Sequence, residues 1–567
     1  MLMKKLFYFL AIALVAATAC QQKQDPEPTP GPEPEPQATL TLLSDATVNI
    51  GADSETVTIK FTSSANWTAQ AEGEYIVLKD KGGVAGENIE LKATVQSLPE
   101  EENGRVGGVV IKSGELQIGV VIMQGNVFYI VPGELYVGVE GGKAEFQVIS
   151  NLDYEVTTYE SFDWAPVAFN KTSGEGFFTV AANAGYDLRY AYVKFTMSAI
   201  QDPVYNEETG EPTGETQDHV ERIYVYQEGH SEATSVGLPA DFDVTNSDDP
   251  IHDATASIAY FNGKLLVCDA TKVYEVNSAT GEFSPIAVPE DVPVQSITND
   301  DAGNLIFAPL IEYLGVGKIY AVKATDTKMQ NPQVIIPWVN EAWSGSRGAD
   351  KVAARGNVFG NGVVTMIYGG VGSSGGLTYC LAWEIKDGSA DIFDYNEWNK
   401  STHRINGDAW LTTPDLGDDL WLSNRAVFAP AGPAVSDGFF YAGYDGLYTV
   451  YYYDGTAWTG IAELGNWAYA PNGMATIEWN GKKILACVNM AYFPEWSMPS
   501  ELYIIDVTDP KNPAILSTGQ FDGPHEVTGG QESATTDVVL RVEGNDLVAD
   551  VVDSSWGVLL HAVYPKL

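Results

Sequence analysis

An all-β chain, two small antiparallel sandwiches followed by a β-propeller, is what this sequence predicts, and three observations carry the expectation. Between residues 38 and 230, short runs such as TVTIKFTSS, NIELKATVQ and RYAYVKFTMSA alternate apolar and polar positions with period two, and Gly, Asn or Pro separates them. From about residue 235 onward a different and longer unit recurs roughly six times. Across its 567 residues the chain carries 56 Gly, 13 Trp and 29 Tyr, which favours turns and aromatic-bearing strands over long helices. Hydrophobic residues make up 45% and charged residues only 19%, so there is apolar material for more than one packed core and wholesale disorder is excluded. Lys and Arg number 31 against 76 Asp and Glu, a formal charge of -45 that opposes a phosphate backbone, so no nucleic-acid partner is expected.

The elements follow in chain order. Residues 1–19 read as an export signal: Lys4 and Lys5 form a basic start, and Leu6 to Ala16 form an apolar stretch short for a membrane span. The stretch ends Ala17-Thr18-Ala19-Cys20, which resembles a bacterial lipobox, with Ala17 standing where the pattern prefers Leu. That resemblance implies acylation of Cys20, hence an outer-membrane lipid as partner; ordinary signal cleavage, with Cys20 incidental, is the alternative. Residues 20–37 repeat Pro-Glu units that cannot fill a core and should lie extended as a charged, semi-rigid stalk. Acidic residues soon after the cysteine also resemble the surface-export signal of Bacteroidetes lipoproteins. The expected location is therefore the outer membrane, lipid-anchored and facing the exterior. Cys268, Cys380 and Cys487 are far apart in apolar strand-like settings, which reads as three buried free thiols and not as a disulfide framework or a metal knuckle.

Two modules fill residues 38–126 and 127–230. Asn66-Trp67, Gly82, Gly86, Asn103, Arg105 and the closing Gln124-Gly125 recur in order as Trp164, Gly174, Asn183, Arg189 and Gln227-Glu228-Gly229. These landmarks resemble the BACON domain of Bacteroidetes, an immunoglobulin-like β-sandwich found in surface lipoproteins and carbohydrate-active enzymes. The resemblance implies two immunoglobulin-like β-sandwiches that act as spacers or associate with carbohydrate. The second copy departs from the first by an insertion, QDPVYNEETGEPTGETQDHV, that reads as a polar hairpin extension, and Trp67 and Trp164 read as core residues.

Residues 235–567 carry the propeller signal. SIAYFNGKLLVCDATKVYEV, SITNDDAGNLIFAPLIEYLGVGKIYAV and MATIEWNGKKILACVNMAYF each pair an entering strand with a tight Asn-Gly or Gly-Asn turn and an apolar strand. Roughly six such units, with seven possible, suit a ring of four-stranded blades that bury one another's faces. The stretch Leu502 to Pro513, LYIIDVTDPKNP, is similar to repeats of bacterial surface propellers.

Function on such a ring is expected in its long loops. Trp338, Trp343, Arg347, Trp398, Arg404, Trp410, Trp421, Tyr492 and Trp496 lie beside Asn, Asp and Gly in three of them; Arg355 and His403 fall in the same loops. An aromatic ring stacks on the apolar face of a pyranose while polar groups meet its hydroxyls, so these are the candidate glycan contacts. Trp383, Trp458 and Trp479 sit in strand-like contexts and read as packing residues.

Catalytic patterns fare worse. GGVGSSGG satisfies GxGxxG through Gly370, Gly372 and Gly375 and GxSxG through Gly372 to Gly376, but both chemistries need a following helix and LTYCLAWEI reads as a strand. None of six histidines falls in a metal spacing, His525-Glu526 lacks a second His, and no sialidase-type S-x-D-x-G-x-x-W box is present. No cofactor is expected, with calcium at Asn246 to Asp249 or Asp415 to Asp419 the one candidate. The reading is non-catalytic capture of an oligo- or polysaccharide, in the company of outer-membrane transporter components. A glycoside hydrolase or lyase and a protein-interaction scaffold are the alternatives.

Overall fold

The computed structural model describes residues 38–100, 102–158, 162–205, 211–239, 242, 256–269, 271–277, 280–309, 316–339, 349–369, 378–390, 411–412, 427–443, 449–464, 469–491, 499–521, 536–554 and 556–567. The described residues are strands and turns, with one short 3-10 turn at Val435–Asp437. Two compact units divide the chain: Met1–Asn183 with Leu188–Glu228, and Ala184–Asp187 with Gly229–Leu567.

The first unit holds two sandwiches. In the first, Leu40–Leu42, Glu55–Ser63, Gly86–Val95 and Ile76–Leu78 form one sheet, and Thr47–Ile50, Leu116–Gly125, Gly104–Ser113, Trp67–Glu72 and Gly82–Gly83 the other. Alternation decides the faces: Val57, Ile59 and Phe61 are buried while Thr58 and Lys60 between them are exposed. Trp67 is buried against Phe61, edge to face at 5.0 Å, as expected for a sandwich aromatic. Trp67 also explains the landmark Gly82, whose Cβ would lie 2.8 Å from the Trp67 carbonyl oxygen, and its neighbour Gly83, whose Cβ would lie 2.8 Å from the Trp67 ring.

The second sandwich repeats the plan. Phe128–Val131, Gly142–Ser150, Glu175–Val180 and Val167–Phe169 face Glu134–Val137, Pro212–Gln227, Arg189–Tyr205 and Glu155–Thr158. In both modules the last long strand pairs in parallel with a short early strand, Thr47–Ile50 in one and Glu134–Val137 in the other. The inserted segment lengthens the hairpin of Arg189–Tyr205 and Pro212–Gln227, with pairs out to Tyr205 and Pro212.

The Arg and Gln landmarks do the same work twice. Arg105 lies opposite Gln124 and donates to its side chain at 2.9 Å, and Arg105 also donates to the carbonyls of Gln96 and Ser97. Arg189 lies opposite Gln227, donates to it at 2.8 Å, and reaches the carbonyls of Ala181 and Ala182. Gln124 and Gln227, both wholly buried, pass their amide hydrogens to further loop carbonyls. Each guanidinium also covers a ring, Tyr75 at 3.8 Å and Trp164 at 4.0 Å. Loop backbone that would otherwise be buried without partners is satisfied this way.

The second unit is a six-bladed propeller. Blades one to five are Ser257–Phe261 to Glu282–Ile286, Ser296–Asn299 to Gln333–Val339, Ala349–Gly356 to Ser389–Ala390, Val427–Pro430 to Trp458–Glu463, and Tyr469–Trp479 to Ala514–Phe521. Blade six takes Thr536–Glu543, Asp546–Asp553 and Val558–Tyr564 from the C-terminus and its outer strand, Glu232–Gly237, from the beginning of the unit. The repeat predicts about four strands from each unit. The closing strand escapes it because EATSVG is almost wholly exposed and its partner lies more than 300 residues away.

The first strand of every blade touches the first strands of both neighbours around a closed circle. Middle strands such as Lys264–Cys268, Leu305–Ala308 and Phe439–Ala442 are near-continuous apolar runs, since a blade is covered on both faces. One hydrophobic layer lies at each of the six blade boundaries. Trp383 and Trp479 are buried in two of these layers, and Trp458 packs partly buried on Tyr441 and Tyr453. Tight turns at Asn262-Gly263 and Asn480-Gly481 have positive φ at both residues, which Asn and Gly tolerate. Cys268 and Cys487 are buried thiols, with Cys268 Sγ donating to the Val294 carbonyl; Cys380 lies in the strand Thr378–Lys386. Residues Ala184–Asp187 belong to this unit: Tyr186 packs edge-on against Tyr564 at 5.5 Å, and Asp187 accepts from Ser517 Oγ at 2.5 Å and Thr518 N at 2.9 Å.

Candidate functional site

First strands at the centre of a ring present backbone groups that no further strand can pair. Here side chains of adjacent blades take them up. Asp537 Oδ2 accepts from Ile258 N at 3.1 Å, Ser257 Oγ from Ile297 N at 2.9 Å, Ser296 Oγ from Val352 N at 3.2 Å and Asn472 Oδ1 from Thr536 N at 2.6 Å. Thr365 Oγ1 donates to Phe428 O at 3.0 Å and Thr476 Oγ1 to Pro430 O at 2.9 Å. Every blade boundary is stitched by at least one such bond.

Inside the stitches lies a channel of about 550 Å³. Asp300, Asp301, Gly303 and Pro433 line it, so it reaches the rim where first strands turn into second strands. Arg355 dominates this mouth. It rises from the first strand of blade three, only 8% of its side chain is exposed, and its Nε donates to Asp301 Oδ1 of blade two at 2.7 Å. Its Nη1 reaches across to Thr476 Oγ1 of blade five at 2.7 Å, while Asp301 Oδ2 accepts from Gly356 N at 2.7 Å. Across the channel, Arg541 stands over the Tyr260 ring at 4.5 Å and pairs with Glu543 at 2.6 Å and with the buried Asp550. Glu478 lines the same space from an exposed position.

At the other end of the first strands Lys351 and Asn472 are buried and Asp537 is half-buried. Lys351 donates to Asn472 O, and Asp537 accepts from its neighbour Val538 N at 2.9 Å as well as from Ile258 N. Burial pushes the Asp537 carboxyl up to about 7, against the opposing pull of the Lys351 charge and the two backbone donors. Burial likewise pushes the Cys487 thiol up to about 12, so it is held protonated and unreactive.

The sequence-derived site residues distribute as follows. Trp338, placed in a loop by the sequence reading, lies in the strand Gln333–Val339, opposite Gly317. Arg355, read as a loop residue, is a strand residue with both ends of its guanidinium engaged. Trp343, Arg347, Trp398, Arg404, Trp410, Trp421, Tyr492 and Trp496 lie outside the described residues, as do Cys20, His403, His525 and the acidic runs 246–249 and 415–419. Eight of these positions, from Trp343 to Trp496, fall in connections from a second to a third strand or from one blade to the next. In antiparallel blades the strand ends that flank such connections share one rim, the one opposite the Arg355 mouth. Residues 370–376 of the GGVGSSGG segment also lie outside the described residues, and the strand Thr378–Lys386 that follows pairs with Gly362–Gly369 as a hairpin. No helix follows, so neither a phosphate loop nor a nucleophile elbow is formed.

Tyr260, Asp301, Thr476, Glu478 and Arg541 escaped the sequence reading. The available signal was the repeat itself: superposing the six units on their first turn brings these polar residues to the end of the first strand or the start of its turn, where apolar residues were expected. Among the described residues no group of three or more His, Cys, Asp and Glu is placed to hold a metal, and no helix is long and apolar enough to cross a membrane.

A family model described as a domain of unknown function (DUF8500) matches residues 271–525, which begin within blade one and end after blade five. No curated protein matches the chain. Among solved structures, an auxiliary nutrient binding protein from Bacteroides thetaiotaomicron is similar at 11% identity over 78% of this chain and 98% of its own, with TM-score 0.33. A quinonprotein alcohol dehydrogenase-like protein from the same organism matches at 8% identity over 85% and 96%, with TM-score 0.23. A GH5 xyloglucanase from Bacteroides ovatus matches at 16% identity over 15% of this chain and 19% of its own, with TM-score 0.14. At these identities and scores none of the three supplies a function.

Proposed function

We propose that this chain is a surface lipoprotein, anchored through Cys20 in an outer membrane of Bacteroidetes type, whose propeller captures a glycan without cutting it and hands it to an uptake system. Two BACON-like sandwiches and the Pro-Glu stalk hold the propeller away from the membrane. One observation favours capture: the Arg355 mouth sets Tyr260, its ring beneath the Arg541 guanidinium, beside hydrogen-bonding groups, while the channel acids Asp300, Asp301 and Asp537 are already engaged. Asp301 is held by Arg355 and Gly356, Asp300, its pKa raised by burial, accepts from Asn304 and from Val358 N, and Asp537, raised by burial to about 7, has both oxygens on backbone donors. A glycosidase needs a free proton donor and a second free carboxylate facing one bond. Glu478 alone does not make that pair.

The test is a glycan array on the full-length protein beside Tyr260→Ala, Trp343→Ala and Trp410→Ala, with a reducing-end assay on every retained glycan. Capture predicts retention, intact polymer, and roughly tenfold weaker binding in at least one variant. Release of shortened product would favour the hydrolase or lyase; indifference to all glycans would favour the protein scaffold.

A further inference from the structure

The outer sheet of the second sandwich carries an aromatic face that the spacer role does not use. Tyr136, Tyr226 and Tyr190 stand directly opposite one another on three adjacent strands, and Tyr224 and Tyr192 form the next row. Tyr136 and Tyr226 stack with centroids 5.3 Å apart and planes 20° apart; Tyr224 continues the stack at 5.9 Å, and Tyr192 joins Tyr224 at 5.4 Å. Tyr136 is 73% exposed and Tyr190 53%. A tyrosine at this exposure gains little for the fold, and five together form a patch of the kind that marks a binding surface.

The third row decides the ligand. Lys194 and Arg222 are directly opposite each other, with Arg222 over the Tyr192 ring at 5.7 Å. Like charges in that position repel. Neither forms an ion pair with any described acid, although the chain holds 76 acids for 31 cations. Two acids share the face, but Glu134 accepts the Tyr136 hydroxyl at 2.8 Å and Glu155 lies on the far strand opposite Thr196. An anion seated between Lys194 and Arg222 would remove their repulsion. In the strands, outward positions across the three rows hold rings or polar groups and no aliphatic chain, whereas the core of a protein interface mixes rings with aliphatics.

We propose that this face is a second binding site, distinct from the propeller channel, for an anionic polysaccharide: sugar rings pack on the tyrosines and a carboxylate or sulfate lies between Lys194 and Arg222. The test titrates polygalacturonate, chondroitin sulfate and uncharged dextran into the full-length protein, a Tyr136→Ala/Tyr190→Ala double variant, a Lys194→Gln/Arg222→Gln double variant and the channel variant Tyr260→Ala. An anionic polymer should bind, weaken with added salt, lose about tenfold in affinity in both sheet variants, and be untouched by Tyr260→Ala. All four changed residues lie on the outer face, so circular dichroism and the melting temperature should stay as in the parent. Equal binding by both sheet variants, dextran binding that ignores Lys194→Gln/Arg222→Gln, or retention of neither anionic polymer would each overturn the proposal. Loss only in Tyr260→Ala would overturn it too, while leaving capture by the propeller standing.

Discussion

Single polar side chains hold the two sandwiches together at points the apolar core does not reach. Gln124 is wholly buried and fills its hydrogen-bonding capacity with one guanidinium and several loop carbonyls, and Gln227 does so in the second module. Removing such a group leaves its partners dry and unpaired, which costs on the order of 2–3 kcal/mol, against a few tenths for an exposed strand residue such as Thr58. Gln124→Leu is therefore expected to speed amide exchange in the strand Leu116–Gly125 by roughly thirtyfold or more and to leave the strand Pro212–Gln227 at its parent rate. Gln227→Leu should show the reverse. Equal exchange in all variants would mean that the Arg-Gln networks are decoration on cores that need no help.

Among the elements, the long hairpin of the second sandwich is held by a histidine between two carboxylates. His219 Nδ1 lies 2.8 Å from Asp202 and its Nε2 3.0 Å from Glu221. Partial burial pulls its pKa down, but bonds to the two carboxylates outweigh that, and the net direction is upward from 6.5. A raised histidine contributes stability that is complete below its unfolded value and disappears as pH climbs through the folded value. The hairpin tip should accordingly loosen as pH rises above about 6.5, and His219→Gln should remove the dependence. An NMR titration that places His219 at or below the ordinary value would contradict this. The hairpin was legible in the sequence because its insert is polar and interrupts two apolar alternating strands. Other elements were not. Glu232–Gly237 lacks an apolar signature, and Ala349–Gly356 is masked by a cation at each end of a short apolar stretch, Lys351 and Arg355, so Arg355 read as loop. The tyrosine face was visible as residues but not as a surface: Tyr at alternate positions signals strand propensity whether it points inward or out, and only cross-strand register aligns Tyr136, Tyr226 and Tyr190.

For the propeller as a whole, stability rests on closure. Six apolar layers depend on one another around the ring, and the first and last blades are joined by pairing of Glu232–Gly237 with Val558–Tyr564 outside and by Asp537 at the centre. Repetition made this architecture readable, because each blade solves the same burial problem with a similar run of residues. The ligand-facing groups were harder to read since they are where the blades differ. Asp537 is the weak point of the closure. Its carboxyl is raised by burial from 3.8 to about 7, so over that interval the folded state binds a proton that the unfolded state has released. Stability therefore falls as pH rises from about 4 to about 7 and is level beyond, because a charge must then be kept in the ring. Asp537→Asn keeps a carbonyl oxygen for Ile258 N and carries no charge. At low pH, where the aspartate is protonated in both states, parent and variant should melt at similar temperatures, and the parent should drop relative to the variant as pH rises from about 4 to about 7, with no further change above that. A melting difference that stays constant across that range would mean Asp537 is ionised throughout, with Lys351 supplying enough opposite charge to keep it so.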